Sequence, residues 1–406
     1  MSGQPTEWEH GVIERAARRQ VAIVAGLAVA VAVFLALFAM RHGFFDLKVY
    51  YGAVNYWIND HGMLYDFLKP NSKYGFTYPP FAAIAMVPMA VVPWTLAILI
   101  SLGLSFAATY ALLRWLVLPI AHRYGWTPWF VLAVAFLLIA AFEPYRETIT
   151  FGQVNLLLIF LVALDLLVGL AGGRRWAGVG IGLATAIKLT PGVFILYLLV
   201  TRRWRAFFVA SGTAAVATLA AAAVDPGASR VFWTDALFDT NRVGSLAFVS
   251  NQSLQGMVAR LSPEHPSSLA WLVLVVATLA VWARRVRSAS LVEGLALTGV
   301  LGCLISPVTW VHHLVWLLPA LILLVDAGLR ASGPRRRWLL GAAAVAYAVL
   351  CSRLVWAWEH GFGGVDGFLF SNAYVWISLA LLLFLPLRSV EAPGVAELRQ
   401  EHRVAA

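Results

Sequence analysis

Twenty residues without a charge, Val21 to Met40, decide the fold class before any motif is considered. An α-helix rises ~1.5 Å per residue, so about 20 apolar residues cross the hydrocarbon core of a bilayer. Further apolar stretches recur along the chain, separated by short arginine blocks. In lipid, every backbone amide has to be satisfied within the structure, and for segments of this length the helix does so. The expected fold is therefore an all-α polytopic membrane protein. Composition agrees: 61% of the 406 residues are hydrophobic, 12% are charged and the mean hydropathy is +0.79. A soluble domain carries ~25% charged residues. Val21–Met40 is too long for the apolar part of a signal peptide and has no clear small-residue cleavage site, so it reads as a retained first span.

The net charge of +10 does not point to nucleic acid. The cations sit in blocks between apolar segments: Arg15/Arg18/Arg19, His122-Arg123, Arg174-Arg175, Arg202-Arg203-Arg205, Arg284-Arg285-Arg287 and Arg335-Arg336-Arg337. That spacing is what the positive-inside rule produces, and it places these blocks in the cytoplasm. Acid-bearing loops alternate with them, around Asp46/Asp60/Asp66, Glu143/Glu147, Asp225/Asp235/Asp239, Glu264 and Glu359/Asp366, and are assigned to the outside. The count comes to about 12 crossings at ~20 residues each. The expected organisation is a cytoplasmic tail 1–20, one transmembrane catalytic domain 21–387 and a cytoplasmic tail 388–406.

Two places break the alternation. Residues 79–120 have to carry the chain inward past Val92-Pro93-Trp94, which predicts a short re-entrant or interfacial helix. Residues 177–200 have arginines at both ends, which predicts two short segments meeting at Lys188-Leu189-Thr190-Pro191-Gly192. Proline lacks the amide donor there, and glycine tolerates unusual dihedrals. Broken backbone at membrane depth needs protein or a polar cavity over it, so this break marks a cavity.

Asp46, just beyond the first span, has two readings. It can be a general base meeting a substrate whose tail is in lipid and whose reactive end is wet. It can equally cap a short helix beginning at Leu47. Tyr50 and Tyr51 follow at helical spacing and can stack on a sugar or anchor at the interface; Lys48 can bind phosphate or face water. Phe76-Thr77-Tyr78-Pro79-Pro80 either sets the start of the next segment or lets Tyr78 line a sugar site. Glu143 and Glu147 flank Arg146 between two spans, where ionisable groups are expensive, which suggests an internal ion pair or a ligand for a lipid phosphate. Gln153 and Asn155 can hydrogen-bond a sugar or join helices, and Asn251 and Gln252 can read sugar hydroxyls or equally be solvated at the surface. Lys188, inside an apolar stretch, needs a phosphate, an acid or a route to the interface. His312 and His313 open another apolar span, and each can donate to an anion, pack, or less plausibly bind a metal. Cys303 and Cys351 read as buried free thiols.

In their order, Asp46–Tyr51, Phe76–Pro80, Gly152-Gln153-Val154-Asn155, Lys188–Gly192, Asn251-Gln252-Ser253-Leu254 and Ser306–His313 resemble glycosyltransferase family 87 over nearly the whole membrane region. The resemblance implies a GT-C fold and a donor sugar carried on polyprenyl phosphate. It is strongest toward members that extend phosphatidylinositol mannosides. It therefore implies polyprenyl-phosphate-mannose as donor and phosphatidylinositol tetramannoside as acceptor, taken to the pentamannoside and on to the hexamannoside. Asp46 matches the family's catalytic aspartate. His312 or His313, with Lys188 and Arg146, falls near the donor phosphate. Many GT-C enzymes carry two acids in this loop, and only one stands at the motif here. The implied reaction inverts a β-linked donor into an α-1,2 product at the periplasmic face of the plasma membrane, and no metal or other cofactor is expected. The neighbouring readings are α-1,2 branching of lipomannan or arabinofuranosyl transfer, which a donor comparison separates. A lipid transporter is the remaining rival, although a transporter would show an internal repeat.

Overall fold

The computed structural model describes residues 7–38, 40–239, 242 and 244–388. Among these the regular elements are helices, and the only strand-like pairing is an isolated antiparallel bridge between Leu68 and Gly75. The polytopic all-α expectation holds.

The first span is part of α1, Glu7–Phe38, which begins well before Val21. Little of α1 is covered by protein, as expected of a helix that faces lipid. Gly43 and Phe44 both take positive φ, +59° and +57°, and turn the chain into α2, Phe45–Ile58. After a loop come α3 (Pro80–Ala85) and a one-turn 3-10 segment, the short element expected before the Val92-Pro93 break. Then follow α4 (Trp94–Leu116), α5 (Leu118–Arg123), α6 (Pro128–Ala141), α7 (Glu143–Phe151) and α8 (Asn155–Leu164). The break at Lys188–Gly192 is present. α9, Val179–Ile187, stops at an extended Lys188, a 3-10 turn spans Thr190–Gly192, and α10 runs Val193–Val200.

The second half comprises α11 (Trp204–Val224), α12 (Pro226–Val231), α13 (Leu254–Leu261), α14 (Ser268–Val286), α15 (Leu291–Ile305), α16 (Leu318–Arg330), α17 (Gly333–Ser352), α18 (Gly364–Ser371) and α19 (Ala373–Phe384). Several starts are legible as caps. Asp225, Ser253 and Ser267 accept a backbone N–H from the first turn of α12, α13 and α14, and Ser290 forms a capping box with Glu293 at α15. Among the described residues five helices are long and apolar enough to cross a bilayer, or seven when the bent pairs α6–α7 and α18–α19 each count as one span. Three shorter apolar helical stretches, including α15, lie among them. Length and composition therefore reach seven spans rather than the expected twelve, because several elements stop short of a bilayer's thickness.

The described residues form two cores. The larger one surrounds α15, which is buried from Glu293 to Leu304, and includes α8, α10, α19 and the 3-10 turn Val311–Leu317. The smaller one joins α2, Phe76, Tyr78, α3 and α12. Val154 and Ile187 pack against both. Gln153, Asn155 and Lys188 adjoin these two residues in the chain.

Arginine blocks meet one another and acidic loops do likewise. Arg205 donates to the Gly173 and Arg174 carbonyls. Buried Asp326 pairs with Arg123 at 2.5 Å, Arg388 at 2.9 Å and Arg330 at 3.3 Å. Elsewhere Trp57 Nε1 donates to Asp225, and Arg242 donates to the Tyr65 carbonyl.

Candidate active site

Asp46 stands in the first turn of α2 but caps nothing. The cap position is Phe44, in the left-handed region, and no side chain caps the helix. The helix begins at Phe45, not Leu47, so the capping reading is overturned. The reason is a competing partner: Gln153 Nε2 donates to Asp46 Oδ2 at 2.6 Å. Gly152 makes that approach possible. It ends α7 with φ +71°, and a Cβ there would meet the Leu47 Cβ at 2.6 Å. Only glycine lets α7 close on α2 and carry Gln153 to the acid.

From Gln153 the bonds continue through side chains. Tyr78 OH donates to Gln153 Oε1 at 2.9 Å, and Tyr50 OH donates to Tyr78 OH at 2.8 Å. Lys188 Nζ lies 3.3 Å from Tyr78 OH, 3.1 Å from Asn155 Oδ1 and 2.9 Å from His313 Nε2. Five segments of the sequence, around Asp46, Tyr78, Gln153, Lys188 and His313, thus meet in one network. Asp46 is half-buried, and Oδ1 accepts no hydrogen bond among the described residues. Burial is the main influence on its carboxyl, which it pushes up from 3.8 to about 6; the Gln153 bond, Lys188 and His42 hold it from rising further.

His313 is fixed by its own backbone. The Trp310 N–H points at Nδ1, 3.2 Å away, which leaves the ring proton of neutral imidazole on Nε2. Nε2 and the Lys188 amine then face each other as donors. Two donors at 2.9 Å are satisfied together by an anion placed beside both. His312 points elsewhere, its ring at 89° to that of His313. Its carbonyl accepts from Thr148 Oγ1 and Asn155 Nδ2, which ties the histidine turn to α7 and α8.

A second polar cluster lies behind Phe151. His42 stacks on that ring at 3.8 Å, and His312 packs on it at 5.2 Å. His42 Nε2, Glu147 Oε1, Arg146 Nε and Nη1, and His312 Nε2 are all buried without a hydrogen-bond partner among the described residues. Such a concentration is unusual, since most buried polar atoms are bonded. Arg146 is not paired with Glu143 or Glu147 as an ion pair would require. It donates to the Cys351 carbonyl and lies over the Phe34 ring. The acids face Arg353 instead, at 3.9 and 3.7 Å, because the left-handed turn after α17 brings that side chain back to α7. Glu143 is closed off by Trp356 Nε1 and Tyr374 OH, which leaves it no open face for a ligand.

Three further expectations are corrected. Tyr51 turns from the site, donates to the Val92 carbonyl and packs edge-on against Trp94. Asn251 and Gln252 are fully buried and read backbone rather than sugar. Asn251 bonds Leu246 O, Pro307 O and Thr309 N, while Gln252 bonds Val249 O and Ser371 O. They hold the chain ahead of the histidines. Cys303 is buried as expected, with Sγ 3.6 Å from the His313 carbonyl, whereas Cys351 is half-buried. Sequence reasoning passed over His42 and Arg353. His42 was findable as an ionisable group four residues before the acid at the mouth of a span; Arg353 had no local signal.

A model of glycosyltransferase family 87 matches residues 76–307. The chain is 30% identical over 390 residues to the polyprenol-phosphate-mannose-dependent alpha-(1-2)-phosphatidylinositol mannoside mannosyltransferase of Mycolicibacterium smegmatis, covering 85% of this chain and 84% of that one. It is 32% identical over 303 residues to the corresponding phosphatidylinositol pentamannoside mannosyltransferase of the same organism, covering 71% of each. The Mycobacterium tuberculosis phosphatidylinositol mannoside mannosyltransferase is 32% identical over 293 residues, 68% of this chain and 66% of its own. No solved structure matches. With the helical membrane architecture, these matches establish that the chain belongs to glycosyltransferase family 87 and is a membrane glycosyltransferase of the GT-C fold.

Proposed function

We propose that this enzyme transfers mannose from polyprenyl-phosphate-mannose to the 2-hydroxyl of a terminal mannose on phosphatidylinositol mannosides. The steps are tetramannoside to pentamannoside and on to hexamannoside, on the periplasmic face of the plasma membrane. The observation that carries the reading is the unbroken side-chain network from Asp46 to Lys188 and His313, one end an acid and the other a pair of donors. The names of the relatives supply the sugar and the lipids.

Asp46 is the general base. Gln153 holds Oδ2, so Oδ1 is left to take the proton of the acceptor hydroxyl. A carboxyl raised to about 6 is a stronger base than an ordinary one and is still ionised at neutral pH. The acceptor oxygen attacks the anomeric carbon from the face opposite the phosphate, and a β-linked donor gives an α-linked product. Lys188 Nζ and His313 Nε2 receive the developing charge of the departing polyprenyl phosphate. His312 and Arg146, with unpartnered donors in the cluster behind Phe151, are placed to hold the donor's lipid-proximal phosphate oxygens. The leaving group is already anionic, so no second carboxyl is needed to protonate it, unlike in glycosidases. A single phosphate requires no divalent clamp, and full activity in chelator is expected.

The charge pattern supports this sidedness. The arginine blocks at 174 and 205 meet, as do those around Asp326, and this end is assigned to the cytoplasm with both tails. Residues 41–77 and 225–267, which touch through Trp57 with Asp225 and Arg242 with Tyr65, are assigned to the periplasmic side.

The test is transfer by purified enzyme from polyprenyl-phosphate-mannose to the tetramannoside and, separately, to the pentamannoside, with linkage analysis and Asp46→Asn alongside. An α-1,2 product that disappears in the variant is expected. Transfer from a prenyl-phosphate arabinose donor in place of mannose would overturn the sugar assignment, and an active D46N would overturn the base.

A further inference from the structure

The external loop after α2 holds a polar cleft that the chemistry above does not use. Its volume is about 410 Å³, and Asp66, Lys73, Thr77 and Arg242 line it over a floor of Tyr65 and Phe76. That is within the size of small-ligand sites, roughly 300–1,000 Å³. We propose that this cleft binds the inner sugars of the acceptor glycan, those next to the mannose that reacts. The inference rests on the mannosyl-transfer reading above.

The chemistry of the lining selects a sugar. The exposed Asp66 carboxylate has no hydrogen bond or ion pair among the described residues and offers acceptors only. Lys73 and Arg242 offer donors, and the Thr77 hydroxyl offers both. Sugar hydroxyls are donors and acceptors at once and match this mixture. A phosphate would match the two cations but be opposed by Asp66, and an alkyl chain would match none of the four.

The cleft is preformed. Lys69 N–H donates to Tyr74 O, and the Leu68–Gly75 bridge pins the turn between them. Ser72 closes on the Lys69 carbonyl through both its amide and its hydroxyl, and Asn71 supplies the positive φ of +59°. A Cβ on Gly75 would meet the Phe67 carbonyl oxygen at 2.3 Å, so the turn depends on glycine there. Arg242 is held by Tyr65 O at 3.2 Å and Asp239 at 3.5 Å.

It also adjoins the base. Phe45, the neighbour of Asp46, meets Tyr74 edge-on at 5.7 Å and lies beneath Lys69 Nζ at 4.6 Å. On the other flank Thr77 precedes Tyr78, whose hydroxyl is in the Asp46 network, and Tyr65 OH donates to the Tyr78 carbonyl at 2.7 Å. A glycan whose last sugar is at Asp46 has its preceding sugars over this turn.

The experiment compares three acceptors, an alkyl monomannoside and an alkyl trimannoside without phosphate and the full phosphatidylinositol tetramannoside lipid, in wild type, Asp66→Ala, Lys73→Ala and the double variant. The expected result is a KM for the trimannoside raised about tenfold by each single change, as for loss of a hydrogen bond to a charged group. The monomannoside KM should stay within twofold. Both side chains are exposed, and thermal melting checks that the fold is kept. Equal changes for both acceptors, or none for either, overturn the proposal. A defect confined to acceptors bearing phosphatidylinositol overturns it in favour of a headgroup-phosphate site. If wild type transfers no mannose to any of these acceptors, including the full lipid, the mannosyl-transfer reading fails and takes this one with it.

Discussion

Two pairs of amides look alike in the sequence and end in different work. Gln153 and Asn155 reach other side chains: one bonds Asp46 and Tyr78, the other Lys188 in addition to the His312 carbonyl. Asn251 and Gln252 reach backbone on both sides of the Pro307 loop and beside Ser371, and buried Arg260 adds bonds to the Asn251 carbonyl and Asn372. The first pair joins the ionisable groups to which the proposed reaction assigns a change of charge or a ligand. The second replaces hydrogen bonds that irregular backbone would otherwise lack in an apolar interior. An amide's role is set by what it faces, and residue type carries none of that information.

The largest effect expected from this contrast is at the head of the first network. Asp46→Asn should lower kcat by at least ~100-fold while donor binding persists, measured by single-turnover transfer and by donor titration. Next comes the far end. Lys188→Met or His313→Ala should cut kcat/KM for the donor by ~30–100-fold, as for removal of one charge-stabilising donor. Loss confined to acceptor KM would place the phosphate elsewhere.

Gln153→Ala joins a smaller rate loss, ~10-fold, to a change of sign-defined direction. Below pH about 6, Asp46 takes up a proton and cannot accept another, so wild-type kcat/KM should fall tenfold per unit. The Gln153 bond favours the carboxylate, so its removal should move the acid limb to higher pH. An unmoved limb would separate Gln153 from the base.

The second pair should behave differently. Asn251→Ala leaves buried backbone groups unpaired and should lower stability by ~2–4 kcal/mol, seen in thermal or denaturant unfolding. Asn155→Ala should mainly weaken the donor step. A stable N251A with poor donor affinity would break the comparison. The smallest effect is expected from Tyr51→Phe, within ~1 kcal/mol in stability and with turnover unchanged, because its hydroxyl serves only the Val92 carbonyl.

Much of the architecture was legible because it rests on local rules. Apolar length gave membrane helices, and Pro191 and Gly192 gave the break after Lys188. The number of spans was less legible, since α15 is apolar yet only 15 residues long and is buried by protein. Of the site, Asp46, Tyr78, Gln153, Asn155, Lys188 and His313 were all singled out from position and charge, and the fold brings them together. Arg353 was missed because its approach to Glu143 and Glu147 depends on a left-handed turn some two hundred residues away.

By itself, then, the sequence determined that this is a helical membrane protein, where its ionisable groups interrupt apolar segments and which family it belongs to. Hydrophobic length, helix caps and the cost of charge in lipid act on neighbours along the chain, and they can be read there. Which amide serves the acid and which braces a loop was decided only in three dimensions. That choice depends on Gly152 allowing α7 to touch α2, and on two cores meeting at Val154 and Ile187. A hydrogen bond needs its partner within about 3 Å, and only the packed chain sets that distance.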